Sequence, residues 1–323
     1  MKRMKLLSAT AVVLAMSCAS ATAQQTLKLG HAFESSEALH TEVVAAGEAI
    51  AERTDGRYEI QVYPSSQLGN NNDMDKGLTL GTVDIVLSNN AFAATAYPPI
   101  GITQLPYIFR DADHLLAFTK SDVYRDLNAA YEEETGHHIV ATTYFGSRHA
   151  ISRDPIETCA DLENKKYRVV PIPAYAAVAD VCESNATPIT YAEVYLALQN
   201  GTVDVAENPL TAMEAMKFYE VAKNILLTGH IIDSVNTVIA KSVWQGMSEE
   251  DRAIVAEEFE AAAARTADAV KAREQELTAF FESEGLTVRE ADRAAFAEAA
   301  RAKLSLDDFG FRQEDFDAIQ AIE

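Results

Sequence analysis

Two arginines stand near the predicted ends of strands, where they could recognise an organic anion. Arg168 lies within the strand-like run 166–170, which Pro171 ends, and Arg148 follows another apolar run just after Gly146. A guanidinium offers a planar fork of donors that matches a carboxylate. A buried cation in a central strand is costly unless it is paired. Arg168 is therefore structural if a protein acid pairs it, or a ligand donor if it faces a cleft, and the sequence leaves both open.

Amide side chains stand at the tips of two further strands. The tetrapeptide Gly-Thr-Val-Asp occurs at 81–84 and again at 201–204, each time after a helix-like run. Gly suits a helix C-cap and Thr-Val suits a strand, and the strands end near Asn89 and Asn208. A chance match of four residues is the alternative to two α/β lobes of related topology. Because ligands bind at the carboxyl ends of such strands, both amides are predicted to face one cleft.

These side chains need alternating helices and strands to hold them. Hydrophobic periodicity predicts helices at 40–53, 73–80, 113–134, 174–182, 210–219 and 249–284, the last being one long helix or two abutting ones. It predicts strands at 27–29, 58–62, 83–87, 139–144, 166–170 and 231–240. Thr190 and Glu193 read as a capping box that opens a helix at Tyr191. The order predicts an α/β protein with a parallel or mixed sheet.

The N-terminus reads as an export signal. Three basic residues precede an apolar run at 6–16, too short for a stable membrane anchor, and Ala21-Thr22-Ala23 is a cleavage site. Residues 1–23 are therefore predicted to be a signal peptide cut before Gln24, which places the chain in the periplasm. A lipoprotein signal with Cys18 as the lipidated residue is the weaker alternative.

The net charge excludes some binding partners, and the cysteine content predicts a disulfide. The chain has 323 residues and a net charge of -22, which becomes -25 when the signal's three positive charges are removed. Such a surface repels nucleic acid and anionic membranes. Cys159 and Cys182 are the two cysteines after the signal. In an oxidising compartment they are predicted to form a disulfide, with two buried thiols as the alternative.

Catalytic and metal-binding motifs are missing from the sequence. There is no G-x-S-x-G, H-E-x-x-H, Walker A, G-x-G-x-x-G or C-x-x-C pattern. Asp111, Asp113 and His114 imitate a metal cluster, but carboxylates at a helix N-terminus explain them. The sequence predicts a binding protein with no metal or cofactor. An exported enzyme acting on a small organic acid, or a ligand-sensing module for a membrane receptor, stays open.

Several motifs resemble the substrate-binding proteins of TRAP transporters, the DctP type. The run 190–204, Thr-Tyr-Ala-Glu-Val-Tyr-Leu-Ala-Leu-Gln-Asn-Gly-Thr-Val-Asp, is followed by Glu-Asn-Pro-Leu at 207–210 and Lys-Phe-Tyr-Glu-Val at 217–221. Residues 63–69, 166–170 and 227–230 match as well, so the likeness covers about 27–286. The resemblance implies a periplasmic binding protein type II-like fold, two α/β lobes around a ligand cleft joined by strands and a long helix.

The resemblance also implies a function and a division of the chain. Lobe I would comprise 24–145 plus about 234–273, and lobe II 146–233 plus about 274–323. The lobes would close on a small organic acid and deliver it to the small and large membrane subunits of a TRAP permease. The protein would act as a monomer, although its sequence leaves the oligomeric state open. Asparagines at 70–72, 89 and 90 favour a hydroxylated acid, such as a sugar acid.

Site residues follow from the resemblance, position by position. Six residues are predicted to bind the ligand: Arg168 as the family's carboxylate clamp, Arg148 as a second ligand-facing arginine, Asn208 from the Glu-Asn-Pro tip, Tyr191 as an aromatic contact, and Asn71 and Asn89 as first-lobe positions that vary with substrate. The chain departs from the family pattern at 205–206, Val-Ala before Glu207, and at Glu183, where Gly is frequent. Both departures are expected to alter local geometry without touching the clamp.

Overall fold

The computed structural model describes residues 24–323, so the predicted signal peptide 1–23 lies outside it. The strands are β1 Gln25–His31, β2 Tyr58–Tyr63, β3 Ile85–Asn89, β4 His138–Ser152, β5 Lys166–Val169, β6 Asn185–Pro188, β7 Val205–Pro209, β8 Asn224–Ile239 and β9 Thr287–Glu290. The helices are α1 Ala38–Arg53, α2 Asn71–Leu80, α3 Asn90–Ala93, α4 Ala112–Phe118, α5 Asp122–Thr135, α6 Cys159–Leu162, α7 Pro173–Val181, α8 Val194–Gln199, α9 Leu210–Ala215, α10 Lys241–Gly246, α11 Glu249–Ser283, α12 Arg293–Lys303 and α13 Gln313–Gln320.

The nine strands among residues 24–323 form one mixed sheet, in the order β2-β1-β3-β8-β4-β7-β5-β6, with β9 beside β8. Strands β1–β3 are parallel to one another and carry the apolar core of the first lobe. Strands β5–β7 carry the second lobe, which buries an apolar cluster on each face of the sheet. The antiparallel pair β4 and β8 runs through both lobes. The structure is therefore the predicted arrangement of two α/β lobes joined by strands.

The joining strands are much longer than the sequence predicts. The runs 139–144 and 231–240 are parts of strands of 15 and 16 residues, which pass unbroken through the predicted lobe boundaries. Polar and charged residues such as Arg148 and Asp233 interrupt the apolar pattern, because they are buried against each other rather than against apolar side chains. The pairing of β4 with β8 has three register shifts, and such bulges bend a strand and re-aim its side chains.

Three helix predictions are wrong in detail. The predicted helix 113–134 is two helices, because the Ser121 hydroxyl accepts from the backbone N–H of Tyr124 and caps a new start. The predicted helix 210–219 ends at Ala215, and Lys217 adopts a left-handed conformation with φ 55°. No capping box forms at Thr190 within the described residues: its hydroxyl donates to the Glu193 carboxylate at 2.6 Å instead.

One long helix connects the two lobes. Of the alternatives for 249–284, the structure has a single helix of 35 residues, α11, capped by Ser248. Its first two-thirds pack into the first-lobe core, and Leu277 and Phe281 pack into a second-lobe cluster. The chain after about 304 returns to the first lobe, where Phe311 and Ile319 are buried, which differs from the predicted assignment of 274–323 to lobe II. Every helix within 24–323 is too short or too polar to span a bilayer.

A disulfide and a strained residue lie side by side at the end of α7. Cys159 and Cys182 are bonded in the structure, with Cα atoms 4.7 Å apart. The next residue, Glu183, has φ 55°, in the left-handed region that favours glycine. The family pattern often has Gly at this position, where a left-handed conformation costs nothing. In this chain the Cβ of Glu183 makes the same conformation strained.

We predict that Glu183→Gly stabilises the oxidised protein. Relief of left-handed strain contributes about 1–2 kcal/mol, and the greater flexibility of Gly in the unfolded chain offsets part of it. The lost ion pair between Glu183 and Lys303, 2.8 Å and largely exposed, contributes little. Urea denaturation should show a gain of about 0.5–1 kcal/mol. The matched control is Glu163→Gly, because Glu163 has φ -55° and should lose stability. Equal changes in both variants would contradict the prediction.

Candidate functional site

The six predicted ligand-binding residues line one cavity between the lobes. Its space is about 570 Å³, including the part open to solvent. The first lobe supplies Asn71 from the start of α2 and Asn89 from the end of β3. The second-lobe side supplies the four others, Arg148, Arg168, Tyr191 and Asn208. The structure therefore brings together side chains that are far apart in the sequence, although it holds no ligand that would test their roles.

Strand register explains how the charged residues meet. Strand β4 lies between β7 and β8, and Arg148 is opposite Pro209 on one side and Ile231 on the other. The register shifts in β4 place its side chain between Glu207 of β7 and Asp233 of β8. The close packing of β4 against β7 requires a glycine nearby. Gly146 has φ 136°, and a Cβ there would lie 2.6 Å from the Cβ of Pro209.

Arg148 donates its hydrogen bonds to the protein itself. Its guanidinium pairs with both carboxylate oxygens of Glu207, with Nη2 to Oε1 at 2.7 Å, and Nη1 donates to Asp233 at 2.6 Å. Nη2 also donates to the Glu207 carbonyl at 3.0 Å. Burial opposes ionisation of Glu207, yet Arg148 and His230 hold its pKa down at about 2. The Arg148 guanidinium is therefore already paired with two acids, and its contact with a ligand stays a prediction.

Arg168 is differently placed. It is 1% exposed, and its Nε donates to the carbonyl of Ile189 at 2.9 Å. Within residues 24–323, its Nη1 has no hydrogen-bond partner, and Glu207 Oε1 lies 3.7 Å away. Burial and the nearby Arg148 lower the pKa of Arg168 to about 10, against the attraction of Glu207, so it remains charged at neutral pH. A protein acid approaches this arginine, but that acid's oxygens are bound by Arg148.

Two other atoms at the cavity are buried without partners. In the described part of the chain, neither Asn208 Nδ2 nor Asn89 Oδ1 forms a hydrogen bond. The Oδ1 atom of Asn208 accepts from Arg148 at 3.3 Å, and Asn89 Nδ2 donates to Tyr175 Oη at 3.1 Å. An unsatisfied buried polar atom costs about 1–3 kcal/mol. Among residues 24–323, the cavity lining thus includes unpaired donors on second-lobe residues and an unpaired acceptor on a first-lobe residue.

Aromatic rings form one wall of the cavity. Phe33 of the first lobe contacts Phe145, with ring centroids 4.7 Å apart, and Tyr191 lies 6.2 Å from Phe33. The Tyr191 hydroxyl donates across the cleft to Glu37 at 3.4 Å. An apolar wall opposite charged donors can pack the carbon face of a ligand while the donors bind its oxygens.

Several residues of the site are not predicted from the sequence. Neither Asp233 nor Tyr175 is predicted, and Glu207 enters the prediction only as part of a motif. Their signal is a charged or hydroxyl group inside an otherwise apolar strand or helix, where burial demands a partner. Phe33 and Phe145 carry no such signal, because a buried aromatic is ordinary. Among residues 24–323, no three His, Cys, Asp or Glu side chains are grouped as a metal site would need.

Comparisons with known proteins give consistent results. The family model for bacterial extracellular solute-binding proteins, family 7 (DctP), matches residues 29–306. The sialic acid-binding periplasmic protein SiaP of Vibrio cholerae is 32% identical over 245 residues, 76% of each chain. Solute-binding protein RD1_1052 of Roseobacter denitrificans is 31% identical over 265 residues, 80% of this chain and 81% of that one. A crystal structure of a TRAP periplasmic solute-binding protein from R. denitrificans with bound L-galactonate superposes with a TM-score of 0.86 at 29% identity. The match covers 93% of this chain and 98% of that one.

The buried acid Glu37, which accepts from the Tyr191 hydroxyl, should make the stability of the fold depend on pH. Burial raises the pKa of Glu37 to about 8, from an ordinary 4.5. Folding therefore favours its protonated form, and this contribution is complete below about pH 4.5 and is lost as pH rises through 8. We expect Glu37→Gln to gain stability over the parent between pH 5 and 8, on the order of a few kcal/mol. Urea denaturation at pH 5, 6.5 and 8 measures the difference.

The control for this prediction is Glu52→Gln, an exposed acid on the same helix α1. This variant measures the effect of removing a carboxylate that is not buried. A Glu37→Gln difference that does not exceed that of the control at any of these pH values would show that burial of Glu37 carries no penalty.

Proposed function

Since the chain belongs to the DctP family of bacterial extracellular solute-binding proteins, we propose that it captures a small organic acid whose carboxylate binds Arg168 and Asn208. The family assignment confirms the TRAP-type resemblance and the binding-protein fold predicted from the sequence. The residue roles and the ligand are our proposal.

One observation carries the proposal. Arg168 and Asn208 both line the cavity and, in the part of the chain that the structure describes, neither the buried Nη1 of Arg168 nor the buried Nδ2 of Asn208 has an acceptor. Burying two unsatisfied donors, one of them charged, is unfavourable unless a ligand accepts hydrogen bonds from them. A carboxylate does so because its two oxygens accept from adjacent N–H groups.

The relatives support the same ligand class. SiaP of Vibrio cholerae is named for binding sialic acid, and the R. denitrificans structure contains L-galactonate. Both compounds join a carboxylate to a hydroxylated carbon chain. The aromatic wall of Phe33, Phe145 and Tyr191 supplies a surface for such a chain. We therefore favour a hydroxylated acid.

Capture would proceed by closure of the two lobes. The ligand binds first to Arg168 in the second lobe, and Asn71 and Asn89 of the first lobe then engage it. The two lobes are joined by β4, β8 and α11, which is a connection that permits bending rather than separation. We further propose that the chain is exported to the periplasm, acts as a binding protein rather than an enzyme, and delivers its ligand to the membrane subunits of a TRAP permease.

A thermal-shift screen of the chain from Gln24 onwards tests the proposal. The panel contains sugar acids, dicarboxylates, hydroxy and keto acids, amino acids and neutral sugars. A ligand at 100 times its dissociation constant stabilises by about 2.7 kcal/mol, a measurable shift. Stabilisation confined to carboxylates supports the proposal. Stabilisation by neutral or cationic compounds alone would overturn it, because Arg168 would then bind no carboxylate.

Arg168→Lys tests the clamp directly. An ammonium cannot reproduce the planar fork, so the variant should lose about 2–3 kcal/mol of binding energy, roughly 30- to 150-fold in affinity, by calorimetry with the best acid from the screen. The matched control is Arg153→Lys, because Arg153 is exposed and does not line the cavity. Equal affinity of Arg168→Lys and the parent would show that the carboxylate binds elsewhere.

A further inference from the structure

The acceptor that the first lobe presents to the cavity needs an explanation. Asn89 lies at the end of β3 and lines the cavity, and its Oδ1 is buried without a partner among residues 24–323. An asparagine can present either its oxygen or its nitrogen to a ligand, and which one it presents decides what the ligand must offer in return. The neighbours of the amide therefore determine specificity.

Tyr175 fixes the orientation of this amide. Its Oη lies 2.7 Å from Gln104 Oε1, 3.3 Å from Asp233 Oδ1 and 3.1 Å from Asn89 Nδ2. A tyrosine hydroxyl has one proton, and two acceptor oxygens already compete for it. The third neighbour must then be a donor, so Asn89 turns its NH₂ group towards Tyr175. Its carbonyl oxygen is left for the cavity.

The position of Tyr175 is itself rigidly determined. The side chain is 0% exposed, and the Arg148 guanidinium carbon lies 5.0 Å from the centre of its ring. Gln104 and Asn89 belong to the first lobe, while Tyr175 is in α7 of the second. Tyr175 does not line the cavity, so it acts on a ligand through Asn89 rather than by contact.

We propose that Tyr175 is a specificity-determining residue, which holds the Asn89 carbonyl oxygen towards the cleft so that the preferred acid must carry a hydroxyl group there. The inference rests on the proposed function, because it assumes that a carboxylate binds Arg168. It adds a second requirement at the opposite lobe. An acid without a hydroxyl leaves Asn89 Oδ1 buried and unsatisfied, and therefore binds more weakly.

Pairs of acids that differ only in hydroxyl groups provide the test. The probes are L-galactonate against hexanoate and D-erythronate against butyrate, each pair having equal chain length and one carboxylate. Calorimetry gives the affinity ratio within each pair for the parent, Tyr175→Phe, Asn89→Ala and the double variant. Tyr167→Phe is the matched control, because Tyr167 is also a buried tyrosine of the second lobe, but it does not contact Asn89.

We expect the parent to favour the hydroxylated member of at least one pair. Tyr175→Phe should reduce that preference roughly 5- to 10-fold, the value of one hydrogen bond, while the affinity for the plain acid changes less than about twofold. The preference should be retained in Tyr167→Phe. In the Asn89→Ala background, Tyr175→Phe should have no further effect, since the two residues act as one unit.

Each contrary outcome has a distinct meaning. A parent that binds no acid at all overturns the proposed function together with this inference. A parent that binds acids without preferring hydroxyl groups, or a Tyr175→Phe variant that keeps the preference, overturns the inference alone. A uniform loss of affinity for both members of a pair also overturns it, because that result indicates a purely structural role for Tyr175.

Discussion

Arg148 and Arg168 are buried beside the carboxylates of Glu207 and Asp233, where β4 pairs with β7 and β8. This buried cluster of charges constrains the rest of the structure. A buried guanidinium is tolerated only where acids and carbonyls surround it, and Arg148 has Glu207 on one neighbouring strand and Asp233 on the other. That pairing requires the register shifts in β4 and the glycine at 146. It also requires a partner for the disrupted backbone, which α11 supplies: the Glu274 carboxylate accepts from the Ser147 N–H and from the Tyr144 hydroxyl, each at 2.8 Å.

The proposed binding site depends on the uneven division of the acids between the arginines. Arg148 takes both oxygens of Glu207 and one of Asp233, whereas among residues 24–323 Arg168 has only Glu207, at 3.7 Å. The protein thus satisfies one cation internally, and we propose that the other binds an external anion. The cavity-lining Asn208 is arranged in the same way, since its oxygen accepts from Arg148 and its nitrogen has no partner among residues 24–323. A cleft built this way would attract an anion locally, despite the net charge of -22 on the whole chain.

The sequence predicts which strand tips approach the cavity, but not how the charges there are shared. Arg168 and Asn208 could be identified because a polar residue at the end of an apolar strand, inside a recognisable motif, has few other roles. The pairing of Arg148 with Asp233 could not, since the two are 85 residues apart and only the register of β4 against β8 brings them together. Local signals also misled where tertiary packing prevailed. Thr190 and Glu193 have the spacing of a capping box, yet in the structure they bond to each other beside the cleft.

The long helix has a consequence for how an occupied cleft is recognised from outside. Helix α11 has 35 residues and so extends for about 52 Å, with one part packed on each lobe. Glu274, where the helix passes from one core to the other, is bonded to the backbone at the strand crossing. In the proposed closure, the two parts of α11 move with their lobes, so a small rotation beside the ligand becomes a larger displacement at the ends of the helix. On that proposal, a membrane protein would distinguish loaded from empty molecules by surface shape alone, without contacting the ligand.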